Sequence, residues 1–198
     1  MDNYQFAEIA APKGAPLLFL FHGTGGDEHD LLDLGGQLMP NAHLIAPRGD
    51  VSEGGALRFF RRSSAGYDMA DLARATQKMT AFIAERIAAV GPSSVVGLGY
   101  SNGANILASA LFAGAGIYRS VLLHPMIPFT PPPQPALAGK SVLITIGQHD
   151  PYGTPAMTEA LAAYFTANGA GANIVWHEGG HEIRQTELAA ARQFLASP

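Results

Sequence analysis

Gly99-Tyr100-Ser101-Asn102-Gly103 fits the pattern Gly-x-Ser-x-Gly. In a strand–turn–helix setting that pattern presents a serine nucleophile on a sharp, strained turn, with the flanking glycines removing side chains that would clash there. Val95-Val96-Gly97-Leu98 precedes it with strand character, and 104–111 follows with helix character. Taken alone, the pattern equally describes a tight strand-to-helix turn with an N-capping serine. A serine alkoxide is inaccessible near neutral pH, so nucleophilic chemistry needs a base, and that base needs a third group to orient it. Asp150 follows the apolar run 142–146, and His181 follows 173–176 just ahead of the last helical segment. Singly, Asp150 reads as a turn residue before proline and His181 as a helix-capping loop residue. Serine, acid and histidine in that order, each after its own strand, make a catalytic triad the stronger reading.

A developing oxyanion needs hydrogen-bond donors. His22-Gly23-Thr24-Gly25-Gly26 follows the first strong strand and can turn amides inward. The Thr24 amide is the first candidate, and the Asn102 amide, next to the serine at a helix N-terminus, is the second. A plain glycine-rich turn is the alternative for that loop. Arg58-Phe59-Phe60-Arg61-Arg62 gives a further candidate. Phe59 and Phe60 could wall a substrate pocket while Arg58 meets a polar substrate end. The other reading is a solvated basic turn whose rings cap the core.

These residues need a scaffold. Short apolar runs at 17–21, 43–46, 94–98, 120–123, 142–146 and 173–176 predict strands, and 17–21 suits a strand buried on both faces. Helices are predicted at 68–90, 102–112, 155–168 and 181–195. Met69, Leu72, Thr76, Met79, Ile83, Ile87 and Val90 make the stripe of the first, Phe82 widens it, and Gly91-Pro92 stops it. Alternating strands and helices predict an α/β fold with a mostly parallel sheet covered on both faces, and sites at the carboxyl ends of its strands. The stretch 128–135 reads as an exposed extended connection, and no segment is long enough for a separate lid domain.

The chain has 198 residues, 47 % of them apolar and 14 % charged, which predicts one domain over 1–198 with a sizeable core. A net charge of −4 argues against nucleic acid as a partner. With no cysteine, thiolate nucleophiles, disulfide frameworks and cysteine-ligated zinc are excluded. The N-terminal Met-Asp-Asn-Tyr carries an acid where a signal peptide carries lysine or arginine, and no run approaches the length of a membrane span. The expectation is a cytoplasmic protein with no membrane partner.

His22-Gly-Thr-Gly-Gly-Asp-Glu, Arg58-Phe-Phe-Arg-Arg, Gly99-Tyr-Ser-Asn-Gly-Ala-Asn, Gly147-Gln-His-Asp-Pro and Gly180-His-Glu-Ile together resemble the phospholipase/carboxylesterase family of α/β-hydrolases. The resemblance runs from about residue 17 to 195. It implies a serine esterase with Ser101 as nucleophile, Asp150 as acid, His181 as base, and the Thr24 and Asn102 amides on the oxyanion. The expected substrates are small or soluble carboxylic esters, with no metal or organic cofactor, acting as a monomer or homodimer. Thioesters, lactones and aromatic esters suit the same triad. A ligand-binding protein that kept the fold is the rival from outside enzymology. The thioesterase branch usually has glutamine where this chain has Asn102, and the arginine cluster looks more like the bacterial esterase branch.

Three further patterns compete for attention. His177-Glu178-Gly179-Gly180-His181 matches the zinc-peptidase motif His-Glu-x-x-His, but two adjacent glycines oppose the helix that motif needs. Gly139-Lys140-Ser141 and Gly97-x-Gly99 each lack a glycine that their nucleotide-binding patterns require. His22, His29, His43, His124, His149 and His177 read as structural or exposed.

Overall fold

Leu17, Leu18, Phe19, Leu20 and Phe21 are all sealed from solvent. Side chains alternate across a strand. Leu17, Phe19 and Phe21 accordingly join one apolar cluster, and Leu18 and Leu20 join another. Such a strand needs cover on both faces, which helices packed on either side of a parallel sheet supply. The computed structural model, which describes residues 4–63 and 66–196, has that arrangement.

The sheet contains seven strands in the order β1-β3-β2-β8-β9-β10-β11. They are β1 (Phe6–Ile9), β2 (Leu17–Phe21), β3 (His43–Pro47), β8 (Val95–Tyr100), β9 (Arg119–Leu123), β10 (Ser141–Gly147) and β11 (Gly171–His177). Only β1 runs antiparallel to its neighbour, pairing Phe6 with Pro47 and Ile9 with Leu44. The other pairs are parallel. Helices α2 (Met69–Val90), α3 (Asn102–Phe112) and α4 (Pro155–Ala167) pack on the Phe19 face, with Met79, Leu107 and Phe165 in its cluster. Helices α1 (Leu32–Leu38) and α5 (Gln185–Ala196) cover the Leu20 face through Leu38, Ala191 and Leu195. Two small hairpins, β4 (Val51–Glu53) with β5 (Ala56–Arg58) and β6 (Arg62–Ser63) with β7 (Gly66–Tyr67), lie between β3 and α2.

Helix α2 begins and ends where its sequence signals place it. The Asp68 side chain accepts from the Asp71 amide at 3.0 Å, and Gly91 closes the helix at φ 61 with its N–H on Ile87 O. Leu72, Met79, Phe82 and Ile83 are buried as the stripe predicts; Ala75 joins them, whereas Met69 is 50 % exposed in the first turn.

Two expectations are corrected. Helix α5 starts at Gln185, not at 181, because the segment after β11 crosses the end of β10 too closely to be helical. A Cβ on Gly147 would lie 2.1 Å from Gly180 O. Residues 128–135 are extended but partly pinned: Pro131 is buried, and Pro132 O accepts from the Tyr164 hydroxyl at 2.7 Å. A 3-10 turn, Pro135–Leu137, begins at the last of them. Strand β1, helix α1 and both hairpins go beyond the predicted elements. Among the described residues no helix is long and apolar enough to cross a membrane. Residues 1–3, which carried the N-terminal reading, lie outside the described residues.

Candidate active site

Ser101 joins β8 to α3 at φ 54 and ψ −116. A positive φ in a residue with a Cβ stores on the order of 1–3 kcal/mol, so the surroundings must over-determine it. They do so through main-chain contacts. The Ser101 N–H donates to Leu123 O at 2.9 Å, and Ser101 O accepts from the Asn105 amide at 3.0 Å. A Cβ on Gly99 would lie 2.5 Å from Gly103 O, and one on Gly103 would lie 2.0 Å from Phe21 O. Both motif glycines are therefore required by close backbone approach, and neither has a positive φ.

Ser101 Oγ is 2.9 Å from His181 Nε2, and His181 Nδ1 is 2.7 Å from Asp150 Oδ2. The serine is at the end of β8, the aspartate after β10 and the histidine after β11. The parallel sheet thus gathers onto one edge three residues spread over eighty positions. The Tyr100 hydroxyl pins the His181 carbonyl at 2.7 Å, and the rings of Tyr100 and Tyr152 pack on the imidazole. Asp150 Oδ1 accepts from the Tyr152 and Gly153 amides at 2.8 and 3.1 Å. Burial opposes the charge on Asp150, but hydrogen bonds from His124, His181 and those two amides outweigh it and bring the carboxyl down to about 2.

His124 is part of the same constellation. It follows β9 with φ 53, is fully buried, and places Nδ1 2.7 Å from the same Asp150 Oδ2 that His181 uses. Its Nε2 pairs with Glu187 Oε1 at 3.0 Å, and His177 Nε2 pairs with Glu187 Oε2 at 3.1 Å, both oblique to an in-line hydrogen bond. Glu187 is sealed from solvent at the start of α5, where its carboxylate accepts from the Thr145 hydroxyl at 2.5 Å and the Arg184 amide at 2.7 Å. The last contact is half of a capping box. For both groups burial is the largest influence, and it opposes charge. Hydrogen bonding nevertheless holds Glu187 below the ordinary glutamate range and lifts His124 above the ordinary histidine value.

Of the oxyanion candidates, Asn102 directly follows the serine, whereas Thr24 is not among the residues lining the cavity at Ser101. Asn102 heads α3, where a first-turn amide has no intrahelical acceptor. Its side-chain Oδ1 is already engaged, accepting from the Phe59 amide at 2.8 Å. Thr24 is in the loop after β2, and its hydroxyl accepts from Arg58 Nη1 at 3.1 Å. His22 braces that loop, with Nδ1 on Gly23 O at 2.7 Å and Nε2 accepting from the Gly49 amide at 2.9 Å. Burial first of all depresses His22, as befits a neutral strut.

The arginine–phenylalanine segment divides. Arg58 lines a cavity of ≈ 20 Å3 with Ser101, Asn102 and His181. It is itself held by Phe60 O at 3.2 Å and Glu53 at 3.3 Å. Phe59 and Phe60, expected on the pocket wall, are both fully buried away from that cavity. Phe59 packs on Phe21 and His22, and Phe60 packs on Tyr67. The rings belong to the core because β5 turns inward at Arg58. Tyr67 and Met126 line the cavity instead, fixed by Asn105: its Nδ2 donates to the Tyr67 hydroxyl at 2.6 Å, and its Oδ1 accepts from the Met126 amide at 2.7 Å.

The zinc-peptidase pattern separates in space. His177 ends β11 and faces Glu187, whereas His181 lies in the following loop and faces Ser101. His29 and His149 are exposed, and His43 pairs with Glu8 at 2.5 Å.

No family model matches the chain. A curated relative, "Putative hydrolase MhqD" of Bacillus subtilis strain 168, is 42 % identical over 182 residues, covering 90 % of this chain and 91 % of that protein. The chain belongs to the phospholipase/carboxylesterase family of α/β-hydrolases. Solved structures agree with that membership. The Agrobacterium tumefaciens protein Atu2452, described as of unknown function, is 49 % identical with a TM-score of 0.93, covering 98 % of this chain and 96 % of its own. The Bacillus cereus carboxylesterase is 34 % identical with a TM-score of 0.88, covering 97 % and 93 %. An α/β-hydrolase fold is thereby established, and with it an esterase-type hydrolase.

Proposed function

We propose that this α/β-hydrolase is a single-domain serine carboxylesterase acting on small or soluble carboxylic esters. The observation that carries the proposal is the unbroken series from Ser101 Oγ through His181 to Asp150, at 2.9 and 2.7 Å, with the serine held at φ 54. Ser101 attacks the ester carbonyl as His181 Nε2 takes its proton. The tetrahedral oxyanion is met by the Thr24 and Asn102 amides. Collapse breaks the bond to the alkoxy oxygen, and His181 returns the proton to the departing alcohol, leaving an acyl group on Ser101. Water, deprotonated by His181, then releases the acid and restores the serine. Asp150 keeps the proton of neutral His181 on Nδ1 and stabilises the imidazolium.

Substrate size follows from the cavity. At ≈ 20 Å3 it has room for about one water, so even a short acyl group needs some movement of the lining Met126 or Tyr152 side chain and a long one needs far more. Arg58 offers a cation at its wall to a polar substrate end. The test is a series of p-nitrophenyl esters run with the wild type and Ser101→Ala. Acetyl and butyryl esters should turn over best, kcat/KM should fall roughly tenfold or more by octanoyl, and Ser101→Ala should leave only residual hydrolysis. Preference for long-chain emulsified triglycerides, or full activity in Ser101→Ala, would overturn the proposal.

A further inference from the structure

Asp150 Oδ2 receives two imidazoles, and the triad uses only one of them. His124 Nδ1 is 2.7 Å from that oxygen and His124 Nε2 is 3.0 Å from Glu187 Oε1. A neutral imidazole carries one proton, so it can serve only one of two flanking carboxylates and must turn a lone pair toward the other. Both carboxylates are buried, where an uncompensated anion is strongly disfavoured. We propose that His124 is a standing imidazolium that bridges Asp150 to Glu187, and thereby acts as a positioning residue that fixes the orientation of Asp150 and the working pH of His181.

The remaining donors decide the proton count. His177 Nδ1 accepts from the Gly179 amide at 2.9 Å, so neutral His177 carries its proton on Nε2, toward Glu187 Oε2. The Thr145 hydroxyl and the Arg184 amide also donate to Glu187. With the Thr145 hydroxyl and the Arg184 amide donating to it and two imidazole nitrogens facing it, Glu187 has no use for a proton of its own, and the proton between Glu187 and His124 belongs to the ring. The titratable groups facing His124 are thus Asp150 and Glu187 at its nitrogens, with the His177, His181 and Tyr100 rings at centroid distances of 5.4, 5.1 and 5.9 Å. Hydrogen bonding lifts His124 against its burial, in the sense this assignment requires. His124, His177 and Glu187 also cluster closely enough to suggest a metal site. The Gly179 contact opposes that reading, since it occupies the Nδ1 lone pair and leaves a proton on the nitrogen that would have to bind the ion.

The inference rests on Ser101, His181 and Asp150 acting as proposed above. A cation fixed beside Asp150 shares its charge and repels a second proton on His181. It gives up some stabilisation of the transient His181 imidazolium in exchange for a base that is free at lower pH.

Two measurements test this. Histidine-selective 15N NMR of the wild-type protein, from about pH 5 to pH 8, should show one ring doubly protonated throughout, with that signal lost in His124→Asn. All rings becoming neutral by the upper limit would overturn the proposal. His124→Asn is chosen because asparagine tolerates the positive φ and retains an amide donor for Asp150. Its kcat/KM profile should rise at a pH about one unit higher than that of the wild type. A uniform loss of activity with an unmoved midpoint would mark a merely structural role and would equally overturn it. The NMR result needs no catalysis. Failure of the esterase reading would therefore appear as activity retained in Ser101→Ala, and failure of this inference as a titrating ring.

Discussion

His181 and His124 meet the same oxygen of Asp150 at the same 2.7 Å, and differ in what lies on the far side of each ring. Beyond His181 is the Ser101 hydroxyl, a group that can donate, and the imidazole is 22 % exposed. Beyond His124 is a carboxylate, a group that can only accept, and the imidazole is fully buried. The first environment suits a neutral ring that takes a proton during turnover. The second requires a ring that holds two protons. Identical chemistry at one nitrogen leads to opposite roles because the second nitrogen is given a donor in one case and an acceptor in the other.

The sharpest way to break this contrast is to remove the exchanging side. Ser101→Ala and His181→Ala should each lower kcat by about 10^6-fold, as loss of a nucleophile or base does in triads that act as a unit, measured by hydrolysis of a short-chain p-nitrophenyl ester. Asp150→Asn should cost about 10^4-fold, since the amide can present a donor to His181 Nδ1 and favour the wrong tautomer. If His181→Ala cost no more than His149→Ala, the two sides of Asp150 would not differ as described.

The buried side is read through stability. His177→Ala would strip Glu187 of a facing ring and leave the Gly179 amide unpaired, so it should cost about 1–3 kcal/mol in urea unfolding. His149→Ala, at an exposed position, should stay within about 0.5 kcal/mol. A further effect appears in acid. The folded values of Asp150 and Glu187 lie below their unfolded ones. Their contribution is therefore present above the unfolded values, near pH 4, and is lost for Asp150 as pH falls through about 2. The urea midpoint should decline over that interval. His124 has the opposite sign: lifted on folding, it contributes fully below about pH 6.5 and loses that contribution as pH rises through its folded value.

Ser101, Asp150 and His181 were legible because each follows an apolar run, and a parallel sheet must bring the carboxyl ends of its strands to one edge. His124 follows the run 120–123 and obeys the same rule, yet the scheme of one serine, one acid and one histidine has no place for it. Its signal was position alone. Glu187 was hidden differently. Three residues into a helix it looks like an ordinary first-turn acid, and only the crossing of α5 over β10 places it against Thr145. Strand β1 was illegible because Phe-Ala-Glu-Ile has one polar member in four and leaves Ile9 48 % exposed at the sheet edge. Phe59 and Phe60 misled for a related reason: a ring beside an arginine suits a pocket wall and a core equally, and the direction of β5 decides between them.

The claim beneath all of this is that Ser101 is a nucleophile activated by His181. Incubation with a fluorophosphonate probe, followed by intact-protein and peptide mass spectrometry, tests it with no assumption about substrate. The account predicts one adduct per chain, on Ser101, absent from Ser101→Ala and strongly slowed in His181→Ala. Folded wild-type protein that takes up no probe, or takes it up on another residue, would contradict it.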